Sequence, residues 1–498
     1  MTIELKYSHV SDRFALFRNG ECIKVLRSPY EAIAHIKVAT RDAMGALMPL
    51  IRDIRDSSAT TSNLDIPAPP GLEYMPFQRA AIAYASRRKN TLFAEVPGLG
   101  KTVITLGFCN FSGFKRLLVV CPASLRGLWR DEIEKWLIPI HSPGVQTIMP
   151  GVKEVSNRRS VIVSYDMAVG MNTEILKSGS YDLVVLDETH YLKNLEAQRT
   201  KVALGTVGQK SLISLAPRFV ALTGTPIPNR VSEIYPILYR LNPAIIDRMS
   251  LSSFKAKYAN TFIDGAGYER ECGVKNEDEL NARLRAGVMT RHLKEDVLTQ
   301  LPPKRYKMVW LDKDGLITEI LKKEQMFNAE EIVTRGISSG GAEIRHEMGR
   351  AIAPHAVEYV KDLLESGVKK VIVFAYHRDV IAMIGEALSG YGVSTVTGNT
   401  LPQARQDAVR LFQEGSNRVF LGNYIAAGTG LNLNISSDVV SVEPSYVPGE
   451  NEQAWDRPHR IGQKGAVLIH LLLVQGSLNA RILKIAMEKQ EDINKVLR

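Results

Sequence analysis

The sequence predicts an α/β protein: two lobes built on parallel sheets, helical stretches inserted between them, and a small ββα module in front. Three observations predict it. Short β-branched runs recur from residue 74 onward, among them Leu117–Cys121, Leu183–Leu186, Phe219–Leu222, Val371–Phe374 and Val439–Val442, and helical patterns separate most of them. Strands apolar on both faces that alternate with helices mark parallel sheets covered on both sides. By contrast, Leu241–Gln300 and Asp312–His355 are poor in such runs and read as helical and polar. Before residue 74 the pattern differs again: Arg13–Arg18 and Glu21–Leu26 alternate about Asn19-Gly20, a strong hairpin signal.

The elements then follow in order. Ser28-Pro29-Tyr30-Glu31 reads as a capping box with proline at the first helical position, opening a helical stretch to about Asp56. Ser57–Gly71, rich in Ser, Thr and Pro, reads as a linker. The expected units are a small module and linker at 1–70, a first lobe with a helical protrusion at 71–300, a helical linker at 301–350 and a second lobe at 351–498. The first module reads equally as a support domain or as a substrate-recognition module.

Composition narrows the function. At 498 residues the chain is long enough for about three folding units. Its longest apolar runs, such as Val467–Val474, fall far short of the roughly 20 residues a spanning helix needs, so an integral membrane protein is not expected. The first residues lack the basic start and apolar core of a secretory signal. Cys22, Cys109, Cys121 and Cys272 are scattered, which argues against a disulfide framework or a structural zinc site. With 63 Lys and Arg against 53 Asp and Glu, the net charge of +10 is compatible with a polyanionic partner.

A phosphate site comes next. Leu92-Phe93-Ala94 is a short strand, Glu95–Thr102 (EVPGLGKT) a loop, and Val103–Asn110 an apolar-periodic helix. Gly98 and Gly100 would let backbone N–H groups close on phosphates, and the helix start adds a positive dipole. Lys101 would reach the β- and γ-phosphates, and the Thr102 hydroxyl would ligate Mg²⁺. Glu95 departs from the pattern, which has glycine there. Further on, the strand Leu183–Leu186 ends in Asp187-Glu188-Thr189-His190. A carboxylate at that place can hold Mg²⁺, and Glu188 can orient and deprotonate an attacking water. Trp129 and Trp136, seven apart on a helical pattern, read as core. His9, His35 and His141 have no ligand-like company.

These residues carry a resemblance. Val185–Asn194 (VLDETHYLKN) resembles the DEAH-x-LKN box of Swi/Snf-type motors in helicase superfamily two, and Leu222–Ile227 (LTGTPI) resembles that family's third motif. Gln453–Gln463 (QAWDRPHRIGQ) is similar to its sixth motif at every specified position. Met75–Gln78 resembles the glutamine motif, Cys121–Leu125 with Trp129 motif Ia, and Ser164–Asp166 the Ib region. Gly428–Leu433 resembles motif V, with Ala426-Ala427 in place of a glycine-rich run. Arg291–Pro303 and Val373–His377 look closest to the annealing-helicase branch, with bacterial RNA-polymerase-recycling ATPases nearby.

The resemblance implies two RecA-like lobes and DNA-stimulated ATP hydrolysis. ATP would lie on Gln78, Gly98, Leu99, Gly100, Lys101, Thr102, Asp187 and Gly430, with Gln78 reading adenine and Mg²⁺ on Thr102 and Asp187. Glu188 and Lys101 would act at the reacting phosphate. Arg457 and Arg460, three apart and expected on one helical face, would reach it as arginine fingers, Arg460 first. His190, Thr223, Gly224 and Thr225 would couple nucleotide state to lobe position. Ser124, Tyr165 and Thr429 would grip DNA phosphates. The implied activity is translocation on double-stranded or branched DNA that remodels or anneals DNA or strips proteins from it. Alternatives are a strand-separating helicase, an RNA-polymerase-recycling ATPase or an inactive DNA-binding scaffold. The compact length suits a monomeric prokaryotic or viral motor in the cytoplasm, or a nuclear one in a eukaryote.

Overall fold

The computed structural model describes residues 3–26, 28–138, 143–206, 209–264, 267–329, 332, 339–424 and 431–497. The chain opens on a three-stranded antiparallel sheet: β1 (Ile3–Ser8), β2 (Arg13–Arg18) and β3 (Glu21–Val25). The hairpin at Asn19-Gly20 is as expected, and β1 is an additional strand that pairs with β2 through Leu5↔Leu16. Ser28 Oγ accepts the Glu31 N–H at 3.3 Å and caps a short helix, Pro29–Ile33. The helical stretch breaks there and resumes as α1 (Arg41–Asp56), capped by Thr40. Ser57–Gly71 is not a free linker. The Ser57 carbonyl accepts the Arg291 N–H, and the Pro67 carbonyl accepts the Tyr74 hydroxyl.

The first lobe follows. In chain order it has α2 (Pro76–Ser86), β4 (Thr91–Phe93), α3 (Lys101–Ser112), β5 (Leu117–Cys121), α4 (Arg126–Trp136), β6 (Val145–Thr147), β7 (Ser160–Ser164), β8 (Leu183–Asp187) and β9 (Phe219–Leu222). The hairpin β10 (Ala259–Ile263) and β11 (Glu269–Val274), then α5 (Glu277–Gly287) and β12 (Met289–Thr290), complete it. Its sheet is parallel, in the order β12-β4-β9-β8-β5-β7-β6. The central strands β5, β7 and β8 are buried at every position, as their apolar runs require. One core cluster packs on each face of this sheet, and α5 also packs against α1.

The second lobe has a parallel sheet in the order β13-β18-β17-β14-β16-β15. Its strands are β13 (Lys304–Leu311), β14 (Val371–Ala375), β15 (Val393–Val396), β16 (Val419–Asn423), β17 (Asp438–Ser441) and β18 (Val467–Val474). Helices α6 (Ser339–Glu365), α7 (Pro402–Gln413), α8 (Pro448–Trp455) and α9 (Leu478–Leu497) accompany them. Two expectations change here. Residues 304–311, expected in a helical linker, form β13, paired in parallel with the whole of β18. The Leu241–Gln300 region, expected to be helical, contains the β10–β11 hairpin. Strands β10 and β13 are mostly exposed, so neither shows the apolar run that marks a buried strand.

Helix α9 starts in the second lobe and ends in the first. Leu478 and Ile482 pack beside Ala329 and Ile332, whereas Ile493, Val496 and Leu497 belong to a first-lobe core. Asn281 and Arg285 of α5 donate to the carbonyls of Val496 and Leu497 at 2.6 and 3.0 Å. Among the described residues, no helix is long and apolar enough to cross a membrane, and all four cysteines are free.

Candidate active site

The phosphate loop leaves β4 and enters α3. Gly98 and Gly100 have φ of +95° and +80°, backbone that side-chain-bearing residues rarely adopt. A Cβ on Gly100 would lie 2.8 Å from Gln78 Nε2. Lys101 is the first residue of α3, Thr102 the second, and Leu99 plugs the core beneath the loop. Lys101 Nζ donates to the Glu95 carbonyl at 3.0 Å. Burial pushes its pKa down, against the pull of Glu188 and Asp187.

Glu95 has a reason to depart from glycine. Its carboxylate is fully buried and accepts the Thr290 hydroxyl at 2.7 Å, the His292 N–H at 2.7 Å and a bond with His292 Nδ1 at 2.9 Å. His292 Nε2 meets the Ala59 carbonyl at 2.9 Å. The phosphate loop is thus tied to β12 and to the segment after α1. Burial would raise Glu95, but the charge and bonds of His292 outweigh it and hold the carboxyl low. Burial would lower His292, but Glu95 outweighs it and holds the imidazole high. The pair therefore stabilises the fold most between roughly pH 4.3 and 6.5. Glu95's share is lost as pH falls through its lowered folded value, and His292's as pH rises through its raised one. Glu95→Ala is expected to cost about 3–5 kcal/mol, because it leaves His292 buried without its partner. Chemical denaturation against wild type checks this, and an unchanged midpoint would mean the pair contributes nothing.

Asp187 ends β8, and its register partner is Leu222 of β9. One carboxylate oxygen accepts the Glu188 N–H at 2.9 Å and the other the Trp129 indole N–H at 2.7 Å. Burial and the charge of Glu188 push Asp187 up, and the Trp129 bond opposes them. Glu188 is in the left-handed region at φ +51°, a conformation that costs a non-glycine residue about 1–3 kcal/mol and clusters at functional sites. Burial would raise it, but the His190 bond and charge, with Lys101, hold it low.

The expected coupling residues come together. His190 Nδ1 lies 3.3 Å from Glu188 Oε2 and 3.4 Å from Thr223 Oγ1, which accepts the Thr225 N–H at 3.1 Å. Gly224 leaves no room for a Cβ, which would meet Pro97 at 2.8 Å. Gln453 of the second lobe donates to Thr225 Oγ1 at 2.8 Å. Its position in the sixth motif was the signal available in sequence, but that motif gave it no role.

The arginines come from the second lobe. Helix α8 stops at Trp455, and Arg457 and Arg460 follow in turns rather than on one helical face, since Pro458 has no N–H to continue the ladder. Arg460 packs on the phosphate loop, its Cγ 2.9 Å from where a Cβ of Gly98 would stand. Arg457 is buried; its Nε donates to the Gln453 carbonyl at 3.0 Å and Nη1 to that of Leu431 at 3.4 Å. Asp456, which sequence reasoning passed over, pins the lobes through Lys294 of the first at 3.1 Å and pairs with Lys304 of its own lobe at 3.0 Å.

Other expected sites land elsewhere. Gln78 is buried; Oε1 accepts the Met75 N–H and Nε2 donates to the Leu99 carbonyl at 3.1 Å, so it braces the loop instead of standing open to a base. Tyr165 is 3% exposed and its hydroxyl donates to the Asp187 carbonyl at 2.7 Å, which corrects the expected phosphate contact. Ser124 lines a cleft of about 830 Å³ between α4 and α7, with Gly127, Arg130, Gln406, Arg410 and Asn432. Thr429 and Gly430, like His141, lie outside the described residues. Trp129 and Trp136 are core residues, as read.

A phosphate loop, a strand-end Asp-Glu pair and arginines from a second parallel-sheet lobe define a helicase-like nucleotide site. The chain belongs to the SNF2-related family: residues 53–352 match the SNF2-related domain and 355–462 the helicase conserved C-terminal domain. It is 32% identical over 432 residues to the SWI/SNF-related matrix-associated actin-dependent regulator of chromatin subfamily A-like protein 1 of Xenopus tropicalis, covering 84% of this chain and 44% of that one. It is 30% identical over 465 residues to the human DNA annealing helicase and endonuclease ZRANB3, covering 87% of this chain and 42% of that one. The chain thus spans less than half the length of these relatives. The match to the Sulfolobus solfataricus SWI2/SNF2 ATPase core in complex with dsDNA is at 20% identity, covers 88% of this chain and 95% of that one, and has a TM-score of 0.41.

Proposed function

We propose that this chain is an ATP-driven translocase on double-stranded DNA that remodels or anneals DNA or DNA–protein complexes. One observation carries the reading: the phosphate site is built from both lobes, with Arg460 on Gly98 and Gln453 on Thr225. Nucleotide state then sets how the lobes sit, and the α4–α7 cleft, also made by both lobes, changes with them. Both halves of the described site come from a single chain, which supports a monomeric working unit.

The residues fit ATP with Mg²⁺. The loop glycines adopt the backbone a phosphate cradle needs, the start of α3 supplies N–H donors, and Lys101 supplies a charge. Asp187 and Thr102 would hold the ion; few protein ligands suit Mg²⁺, which binds mostly through phosphate and water. When bound, Mg²⁺ supplies charge neutralisation on the phosphates. Glu188, held low, accepts the proton of the attacking water, His190 orients it and passes the change to Thr223, and Arg460 stabilises charge that develops at the transferring group.

The test is steady-state ATP hydrolysis without nucleic acid and with single-stranded DNA, blunt duplex, forked DNA and RNA. Turnover is expected to rise strongly with duplex or forked DNA and to lose that gain steeply with salt. Stimulation by single strands or RNA alone would overturn the reading in favour of a strand-separating helicase.

A further inference from the structure

Helix α4 has two faces with different neighbours. Gly127, Leu128, Arg130 and Asp131 line the cleft shared with α7, while Trp129, Ile133 and Trp136 are buried in the first-lobe core. Trp129 is fully buried, in the cluster that also holds Phe93 before the phosphate loop and Leu99 within it. Its indole Nε1–H donates to Asp187 Oδ2 at 2.7 Å. The other oxygen of Asp187 takes the N–H of its own neighbour, Glu188. Of these two bonds, one is local to the end of β8, and the other comes from a cleft-lining helix that is remote in sequence. An N–H bond to a carboxylate is roughly twice as strong as a neutral one, so this contact can orient the group.

We propose that Trp129 is a positioning residue: it holds the Asp187 carboxylate and makes α4 the mechanical link by which duplex DNA in the cleft reaches the ATP site. This rests on the function proposed above. Neighbouring residues of a helix move as one body, so a ligand pressing on Gly127 and Arg130 displaces the Trp129 indole with them. Hydrogen bonds to N–H groups weaken beyond about 3.2 Å, so a shift of a few tenths of an ångström is enough to release or re-aim Asp187.

The experiment measures the affinity of a fluorescent ADP with Mg²⁺, with and without saturating blunt duplex, in wild type, Trp129→Phe and Trp136→Phe. Trp129→Phe keeps a buried ring and deletes the N–H. Trp136→Phe removes comparable packing from the same helix and leaves Asp187 bonded. In wild type, duplex is expected to change nucleotide affinity by about 5–150-fold, the range of coupled sites. In Trp129→Phe that change should shrink to under about twofold, with duplex affinity retained, while Trp136→Phe keeps it. Should Trp129→Phe fold poorly, benzothienylalanine at position 129 replaces the N–H with sulfur in a ring of the same shape. Full coupling without the N–H, or equal loss in Trp136→Phe, overturns the proposal. No effect of duplex on wild-type affinity or turnover overturns the duplex reading, and this inference with it.

Discussion

Lys101→Ala is expected to abolish ATP turnover, lowering kcat by about 10²–10³-fold or more, the cost of removing one preorganised donor from a reacting centre. Duplex affinity without nucleotide should stay nearly unchanged. The two effects separate because Lys101 opens α3 and turns inward to the Glu95 carbonyl, whereas the cleft is lined from α4 and α7. Its ammonium also favours the ionised forms of both Asp187 and Glu188, so its loss leaves two adjacent carboxylates with less counter-charge. Steady-state hydrolysis and duplex titration on one preparation check this. A mutant that kept its turnover would remove the phosphate site from residues 95–102.

Arg460→Ala is expected to bind ATP normally and hydrolyse it about 10³–10⁵-fold more slowly, the range for an arginine finger. The side chain lies on Gly98, is half-buried, and has its pKa lowered by desolvation while Asp456 and Glu188 pull it back up. A surface arginine in an ordinary ion pair would be worth about 0–1 kcal/mol, so the two outcomes differ by orders of magnitude. Nucleotide titration beside single-turnover hydrolysis distinguishes them: weaker ATP binding at an unchanged chemical rate would rule out the finger role. Arg457, bonded to the Gln453 and Leu431 carbonyls, is the comparison.

Much of this was legible in the sequence, for physical reasons. Runs such as Leu183–Leu186 are buried on both faces, and burial leaves its mark in composition. Gly98, Gly100 and Lys101 announced themselves because a phosphate loop constrains several adjacent residues at once. What stayed hidden depends on partners distant along the chain. The Glu95 carboxylate makes sense only once Thr290 and His292 are beside it. Tyr165 resembled a surface contact because nothing local says that its hydroxyl ends on Asp187. Strand β13 was missed because an edge strand with Tyr306, Met308 and Trp310 exposed carries no apolar run.

Helix α9 has a mechanical consequence. Twenty residues of α-helix make a rod about 30 Å long, with its first turns set in the second lobe and its last in the first. The chain also crosses between lobes once more, at Leu301–Pro303 before β13. Two bodies joined at two separate points cannot drift or tumble freely; like a door on a pair of pins, they are left with a swing about the line through both. A nucleotide held between Gly98 of one lobe and Arg460 of the other would then draw them together along a single arc.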